Sequence, residues 1–356
     1  MRQFQQKSLL ILLLAASIFA SCKKDDRSIT EPERPTAERK GLYVLCEGLF
    51  NANNTSLTYY NYEDKQLTTD RFLAVNNRGL GDTGNDIKVY GSKMYIVVNV
   101  SSTLEIVNPQ TGASIKKIDL KNNGVGRQPR YVVFNKNKAF ISNFDGTVAV
   151  LDTASMLIEK YIKVGRNPEQ MAISNGKLYV ANSGGLDYPN YDNSVSVIDL
   201  NTLRETKKIT VVENPRALAA DQYGDVYVLS TGNYADVKSS MATIDSRTDE
   251  VKTEVAFSGG SMVISGDLAY IPASGGKIKV FNVKTEKIET ENFISDGTKI
   301  TTTYGVAVDE LTAEVFVTDA KYYTTGGEVF CFDKTGKKKY SINVGINPNN
   351  VVFINK

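Results

Sequence analysis

The sequence predicts an all-β fold, a seven-bladed β-propeller with four-stranded blades. A similar phrase recurs along the chain, as in "NKAFISNFD" (137–145), "GKLYVANSG" (176–184) and "GDVYVLSTG" (224–232). The aromatic residue of this phrase returns every 39 to 52 residues, a period typical of propeller blades. Alternating apolar residues indicate strands, and helical periodicity is absent. The seven repeat aromatics are Tyr43, Tyr95, Phe140, Tyr179, Tyr227, Tyr270 and Phe316.

One repeat, residues 169–211, shows the pattern of strands and turns in a blade. "EQMAIS" is a short apolar strand, Asn175-Gly176 is a hairpin turn, and "KLYVANS" is a second strand. "NSVSVIDL" alternates as a third strand, and the polar "ETKKITV" is predicted to be the outermost. The third strands end in Asp or Asn, whose side chains bond the backbone two residues on and start a turn.

The two ends of the repeat region predict how the ring closes. The first repeat opens at "GLYVLCEG", a second strand with no first strand before it. The last repeat stops at "PNNVVFINK", a first strand with no second strand after it. The C-terminal strand is therefore expected to complete the N-terminal blade, which leaves no open sheet edge.

The N-terminal residues predict export and lipid anchoring. Residues 1–21 combine basic residues with a short apolar run, "SLLILLLAASIFA", which is typical of a signal peptide. "FASC" resembles a bacterial lipobox, which implies lipid on Cys22. Residues 22–40 are charged and contain proline, so we expect a flexible tether, and "KKDD" resembles an acidic export tag. Residues 41–356 are assigned to the propeller.

Composition excludes several classes of function. Removing Arg2 and Lys7 from the 42 basic residues leaves 40, which equals the 40 acidic residues and argues against a nucleic-acid partner. The sequence contains no histidine, which excludes histidine-dependent triads and histidine zinc sites. Cys46 and Cys331 are expected to be buried thiols, with a disulfide between them as the alternative.

The loops predicted to share one rim carry the candidate binding residues. Three long connections between second and third strands, 182–194, 230–240 and 318–328, carry Tyr and Gly, and the loops that lead into the blades add Arg and Asn. Tyr offers a rigid contact face, Arg planar donors and Asn an amide pair. The candidate ligand-binding residues are Arg78, Asn99, Arg127, Asn143, Arg166, Asn182, Tyr188, Tyr191, Arg216, Tyr234, Tyr304, Tyr322 and Tyr323.

Oxygen-bearing residues at the ends of the second strands raise the question of a metal. Glu47 and Asp319 are the candidates for a calcium site in the channel. The favoured interpretation is that such Asn and Asp residues start loops through bonds to the backbone. No metal and no cofactor is therefore predicted.

The segments "YVANSGG…NSVSVIDL" and "VGRNPEQMAIS" resemble the YVTN-type propellers of surface-layer and YncE-like proteins, over about residues 41–356. "GLYVLCEGLFNANNTSLTYYNYE", "GLGDTGNDIKVYGSKMYIVVN" and the C-terminal repeat resemble BtuG-like outer-membrane lipoproteins. That resemblance implies a cell-surface protein that captures cobalamin, as a transported ligand, and hands it to a TonB-dependent transporter. Tyr, Asn and Arg on the rim suit a disc fringed with amides and carrying a phosphate.

Two other functions remain open from the sequence. The first is an adhesion or scaffold propeller that binds a protein or glycan, because one fold hosts many functions. The second is a calcium-dependent hydrolase of lactonase type that uses Glu47, Asn143, Asn182 and Asp319. No pair of nucleophile and base is visible, so a binding protein is favoured over an enzyme.

Overall fold

A computed structural model describes residues 38–356 as a ring of seven four-stranded antiparallel sheets, which confirms the predicted fold class. The predicted signal peptide, the predicted tether up to residue 37 and the predicted lipidation at Cys22 lie outside the described residues. The first strand begins at Arg39, slightly before the predicted start of the propeller at residue 41. Within residues 38–356, no helix is long and apolar enough to span a bilayer.

Each blade runs from an inner strand beside the central channel to an outer strand. Blade 1 consists of β30 (Pro348–Asn355), β1 (Arg39–Cys46), β2 (Ser56–Asn61) and β3 (Leu67–Thr68). Blade 2 consists of β4 (Gly84–Tyr90), β5 (Lys93–Val98), β6 (Thr103–Val107) and β7 (Ser114–Asp119). Blade 3 consists of β10 (Pro129–Asn135), β11 (Lys138–Asn143), β12 (Thr147–Asp152) and β13 (Leu157–Lys163).

The remaining blades follow the same order. Blade 4 consists of β14 (Pro168–Ser174), β15 (Lys177–Asn182), β16 (Ser194–Asp199) and β17 (Arg204–Thr210). Blade 5 consists of β18 (Pro215–Ala220), β19 (Asp225–Ser230), β20 (Ser240–Asp245) and β21 (Glu250–Ala256). Blade 6 consists of β22 (Val263–Ser265), β23 (Leu268–Ala273), β24 (Lys277–Asn282) and β25 (Lys287–Thr290). Blade 7 consists of β26 (Thr303–Asp309), β27 (Glu314–Asp319), β28 (Gly326–Phe332) and β29 (Lys338–Ile346).

The repeat aromatics form the core between blades. All seven lie on second strands and are at most 7% exposed. Tyr43 of blade 1 packs in one cluster with Ile87 of blade 2, and Tyr179 of blade 4 packs with Leu218 of blade 5. Burying such a side chain contributes about 1.5–3 kcal/mol, so each sheet is stabilised by the sheets beside it.

The predicted turns are confirmed in blade 4. Asn175 and Gly176 have φ values of 46° and 72°, as a tight hairpin turn requires. At the end of the third strand, the Asp199 carboxylate accepts from the backbone N–H groups of Asn201 (3.0 Å) and Thr202 (2.7 Å). These short turns lie on the rim away from the long loops.

The predicted closure is also confirmed. β30 pairs with β1 along its length, from Asn355 opposite Arg39 to Pro348 opposite Cys46. Cys46 and Cys331 are free thiols in one apolar cluster, and burial raises the pKa of each to about 12.

Two small elements depart from the predicted pattern. A short helix, α1 (Arg71–Asn76), begins after Asp70, whose side chain accepts from the N–H of Leu73 (3.1 Å). It buries Phe72 and ends at Asn77 in the left-handed region. A two-stranded hairpin, β8 (Lys121–Asn122) with β9 (Val125–Gly126), precedes blade 3. Both lie between blades, where the repeat imposes no packing.

Candidate functional site

One rim of the propeller gathers the long loops. In six of the seven blades, the start of the inner strand lies opposite the end of the second strand, as with Pro129 and Asn143, or Thr303 and Asp319. The loops 182–194, 230–240 and 318–328 leave from those same strand ends, so they share this rim, which we call the mouth rim. The sequence predicted this grouping, and the strand register confirms it.

A β-bulge lies beside the mouth rim in six of the seven inner strands. A bulge leaves residues outside the regular ladder and re-aims their side chains. In each blade, one position lies three residues before the partner of the repeat aromatic; for example, Arg130 precedes Val133, which pairs with Phe140. We call these seven positions the mouth ring. From blade 1 to blade 7 they are Asn349, Asn85, Arg130, Glu169, Arg216, Gly260 and Tyr304.

Hydrogen bonds link the mouth ring from blade 7 through blade 1 to blade 2. Tyr304 donates to Glu47 Oε2 (2.7 Å), and Asn349 Nδ2 donates to Glu47 Oε1 (2.9 Å). The same Asn349 nitrogen donates to the backbone oxygen of Asn85 (3.0 Å). Glu47, which directly follows β1, thus bridges two ring positions.

An ion-pair network carries the ring on through blades 3 to 5. Arg130 donates to the Asn85 side-chain oxygen and, through Nε, to Glu169 Oε2 (2.9 Å). On its other side, Glu169 Oε1 lies 3.8 Å from Arg216 Nη2. Glu169 is only 2% exposed, so this carboxylate is held between two guanidinium groups with little access to solvent.

Three buried polar atoms of the ring have no hydrogen-bond partner among the described residues. They are Glu169 Oε1, Arg216 Nε and Asn349 Oδ1. An unpaired buried donor or acceptor costs about 1–3 kcal/mol, so a ligand that bonds these atoms recovers part of that cost.

The mouth leads into a cavity of about 670 Å³ in the central channel. Four polar ring residues line it, namely Asn85, Arg130, Tyr304 and Asn349. Apolar residues of the inner strands, such as Val133, also line it. A site with an apolar wall and a few polar groups that fix orientation is typical of small-molecule binding.

Burial perturbs the ionisable groups of the mouth. Desolvation raises the pKa of Glu47, against the hydrogen bonds from Tyr304 and Asn349. Desolvation also raises the pKa of Tyr131, which lines the cavity, to about 12. For Arg130, burial opposes the charge, but Glu169 outweighs it and raises the pKa. Arg130 is therefore a permanent cation, and Tyr131 a hydrogen-bond donor, at neutral pH.

The carboxylate of Asp319, a candidate metal ligand in the sequence, accepts hydrogen bonds from the backbone of two neighbouring loops. Its carboxylate accepts from the backbone N–H groups of Thr301 (2.9 Å), Thr302 (2.8 Å) and Lys321 (2.8 Å). Within the part of the chain that the structure describes, no three acidic or cysteine side chains are grouped so as to hold a metal ion.

The predicted tyrosines form two clusters on the mouth rim. Tyr191 contacts Tyr188 and Tyr234 edge-on, with ring centroids 6.0 Å apart in each pair. This cluster flanks the ring, because its loop lies over Arg216: a Cβ at Gly185 would be 3.3 Å from Arg216 Nη2.

The second cluster lies at the cavity itself. Tyr304 and Tyr323 both line the cavity, and their rings meet edge-on with centroids 5.9 Å apart. Tyr322, the neighbour of Tyr323, is 73% exposed on the same loop.

The predicted arginines differ in their positions and contacts. Arg216 is a mouth-ring residue next to Glu169, although it does not itself line the cavity. Arg166 is bound by Asp187 (2.5 Å) and Asp192 (2.6 Å) of the loop 182–194, and Arg127 pairs with Asp145 while stacking on Tyr161. These two stabilise loops of the rim rather than line the cavity.

Arg78 and the predicted asparagines lie away from the cavity. Arg78 pairs with Glu105 of blade 2 (2.7 Å). Asn99, Asn143 and Asn182 are at most 6% exposed and bond nearby groups of the fold; Asn182, for example, accepts from the N–H of Gly165 (3.0 Å). The structure gives these residues loop-building contacts, as proposed for polar residues at strand ends.

Sequence reasoning missed four polar residues of the mouth ring: Asn85, Arg130, Glu169 and Asn349. Three of them directly follow a proline at the start of an inner strand, as Arg216 also does. The position after that proline was the available signal, because the proline begins the strand and the bulge follows.

The fold defines the chain as a seven-bladed β-propeller with a polar mouth over its channel. The chain belongs to the family described as "Domain of unknown function (DUF5074)", whose model matches residues 40–353. No curated protein sequence matches it.

Solved structures share the fold at low sequence identity. A quinonprotein alcohol dehydrogenase-like protein from Bacteroides thetaiotaomicron VPI-5482 is 17% identical with a TM-score of 0.68, over 88% of this chain and 78% of that one. Hydrazine synthase of Kuenenia stuttgartiensis is 16% identical with a TM-score of 0.60, over 75% and 93%. The computationally designed Ika8 protein is 14% identical with a TM-score of 0.57, over 88% and 90%. These likenesses bear on the fold alone.

Proposed function

We propose that this protein is a cell-surface lipoprotein that binds a corrinoid at its mouth rim and passes it to a TonB-dependent outer-membrane transporter. The observation that supports the proposal best is the mouth ring, a set of amide, guanidinium, carboxylate and phenol groups around a cavity of about 670 Å³. Such a set suits binding and orientation of a polar ligand.

The chemistry of the rim is complementary to a corrinoid. The ligand is a broad disc fringed with amides, and the Asn and Tyr side chains of the ring can donate to and accept from amides. Tyr188 and Tyr234 are 73% and 66% exposed and offer flat apolar faces to the disc.

Arg216 lies beside the cavity, not among its lining residues, and is the mouth-ring guanidinium with donors free for the ligand's phosphate. Its guanidinium is 43% exposed and makes no hydrogen bond within residues 38–356, only the 3.8 Å contact with Glu169. Arg130, in contrast, is committed to Glu169 and Asn85. A guanidinium with unused donors binds phosphate through paired hydrogen bonds.

The export signals of the sequence support the surface location. Cys22 in its lipobox and the following acidic tag imply an anchored protein, and the resemblance to BtuG-like lipoproteins implies the transporter as partner. Binding of the ligand through its amides and phosphate needs no bond to cobalt, so the lack of histidine is compatible with this role. We infer a binding protein rather than an enzyme.

Calorimetry of the purified protein with cyanocobalamin tests the proposal. We expect saturable one-to-one binding, and Arg216→Ala is expected to weaken it about tenfold, in line with about 1.4 kcal/mol for a lost charged contact. Arg247→Ala is the matched control, since Arg247 is an exposed arginine on a turn of the opposite rim. Absence of any binding at micromolar protein would falsify the corrinoid function.

A truncated ligand separates the role of Arg216 from general damage. Cobinamide retains the amide-fringed disc and lacks the phosphate-bearing arm. If Arg216 binds the phosphate, Arg216→Ala weakens cobalamin binding and leaves cobinamide binding unchanged. An equal loss for both ligands contradicts this assignment.

A further inference from the structure

The mouth ring is continuous through six blades and open at blade 6. Contacts run from Tyr304 through Glu47 and on to Arg216, so that each polar ring residue contacts another or is bridged to it. Blade 6 contributes Gly260, which has no side chain to join Arg216 of blade 5 to Tyr304 of blade 7. The ring therefore has one gap, and its place is fixed by sequence.

Small residues widen this gap on both adjoining segments. The stretch leading into β22 reads Gly259-Gly260-Ser261, and β22 itself has only three residues, whereas the other inner strands have six to eight. The turn between the second and third strands of blade 6 is Ser274-Gly275-Gly276. In blade 4 the corresponding loop spans residues 183–193. Blade 6 therefore has no long loop between its second and third strands, as is also the case in blade 3, where this turn spans residues 144–146.

The cavity extends into this gap. Its lining includes Gly260, Ser261 and the turn 274–276, together with Thr301 of blade 7. Blade 6 contributes residues 260–263 and 272–276 to the lining, more than any other blade. We call the part lined by residues 260–261 and 274–276 the blade-6 slot.

The backbone of the slot is also unusual. In the other six blades, an N–H at the start of the loop after the second strand donates to the backbone oxygen at the start of the inner strand, as Phe144 does to Gln128 (3.0 Å) and Ala320 to Thr302 (3.0 Å). The equivalent pair in blade 6, Ser274 and Ser258, forms no such bond. Strand pairing there begins only at Val263. Outside the strand ladders of residues 38–356, no backbone hydrogen bond involves residues 258–262.

We infer that the ligand lies off the channel axis, with an amide-bearing edge in the blade-6 slot, and that Gly260 is the specificity-determining residue. This inference rests on the proposed function and adds to it the position of the ligand. Backbone donors and acceptors of 258–262 and the hydroxyl groups of Ser261 and Ser274 bond the ligand amides. Gly260 allows the ligand to approach, because any larger residue at this position would place its side chain in the slot.

Substitution of Gly260 tests the slot without disturbing the fold. A Cβ built at Gly260 meets no atom within 4 Å, and its φ lies outside the left-handed region, so Gly260→Leu is compatible with the backbone. Gly79→Leu is the matched control, since Gly79 has the same open surroundings and does not line the cavity. Calorimetry with cyanocobalamin on the full chain compares wild type, Gly260→Ala, Gly260→Leu and Gly79→Leu.

We expect Gly260→Leu to weaken binding by about tenfold or more, which corresponds to about 1.4 kcal/mol, and Gly260→Ala to weaken it less. Gly79→Leu is expected to bind like wild type, and all variants are expected to keep the melting temperature. Hydrogen exchange gives an independent measurement: the amides of 258–262 should exchange quickly in the free protein and slowly with cobalamin.

The outcomes distinguish the two proposals. If wild type binds cobalamin and Gly260→Leu binds it equally well, the slot is overturned and the corrinoid function stands. If wild type binds no corrinoid, both fall together. A loss of binding in Gly260→Leu accompanied by unchanged exchange at 258–262 also overturns the slot, because the ligand then does not contact that backbone.

Discussion

The repeat aromatics and the mouth ring lie three residues apart in strand register, yet they differ in almost every respect. The aromatic position is Tyr or Phe in all seven blades and is at most 7% exposed. The mouth ring carries two Asn, two Arg, one Glu, one Tyr and one Gly. One position repeats its chemistry, and the other changes it from blade to blade.

The difference follows from what each position contacts. An aromatic on a second strand packs against the neighbouring sheet, and that environment is the same in every blade. A mouth-ring residue lies in or beside a bulge at the channel, where no sheet requires a given size or polarity. The repeat thus fixes the frame and leaves the mouth free to differ, which is where a ligand can be recognised.

The largest effect on stability is expected from replacing one of the repeat aromatics. Phe316→Ala removes a fully buried ring and is expected to lower the free energy of unfolding by about 3–5 kcal/mol, because the neighbouring sheets cannot fill the cavity. Chemical denaturation measures it. Phe50→Ala, at a side chain that is 73% exposed, is the control and should unfold like wild type. Similar midpoints for the two variants contradict the role of the aromatics as core.

A smaller effect is expected within the mouth ring. Glu169→Gln keeps the shape of the side chain but removes the charge that Arg130 and Arg216 share, which we expect to cost about 1–3 kcal/mol. The same denaturation experiment measures it, with Glu310→Gln on an exposed turn as control. If Glu169→Gln is as stable as the control, the ion-pair network does not hold the ring together.

The smallest effect concerns pH. The pKa of Glu47 is raised from its ordinary value of 4.5, so the folded state binds its proton more tightly than the unfolded chain does. Stability from this group is therefore complete below pH 4.5 and decreases as pH rises to the raised pKa, by up to about 1.4 kcal/mol per pH unit. Subtracting the unfolding free energy of Glu47→Gln from that of wild type, between pH 4 and 8, isolates this change. A flat or rising difference would show that Glu47 is not desolvated as described.

The fold was predictable because its signals are local and repeated. The seven recurrences of the aromatic give the number of blades. The unmatched strands that contain Tyr43 and Val351 indicate that the two ends of the chain close the ring. The helix Arg71–Asn76 was not predicted, since it occupies a single connection and carries no repeat.

The site was less predictable because it depends on register. Arg127, Arg166 and Arg130 all stand near a proline that begins an inner strand, and composition alone does not distinguish them. The bulge lies after the proline, so Arg130 reaches the cavity, while Arg127 and Arg166 bind aspartates of the rim loops. A bulge is defined by how two strands pair, so it cannot be identified from the sequence of one strand alone. Gly260, too, looks like any loop glycine until six other blades show what it lacks.

The closure in blade 1 also determines how the protein can be attached to a surface. Glu38 and Lys356 are joined by a backbone hydrogen bond of 2.9 Å, at the end of β1 and β30 that lies farthest from the long loops. A linker fused at either position therefore points the opening toward the medium and leaves diffusion to it unobstructed. Biosensor chips or display scaffolds that hold the propeller by these residues will present every copy in the same orientation.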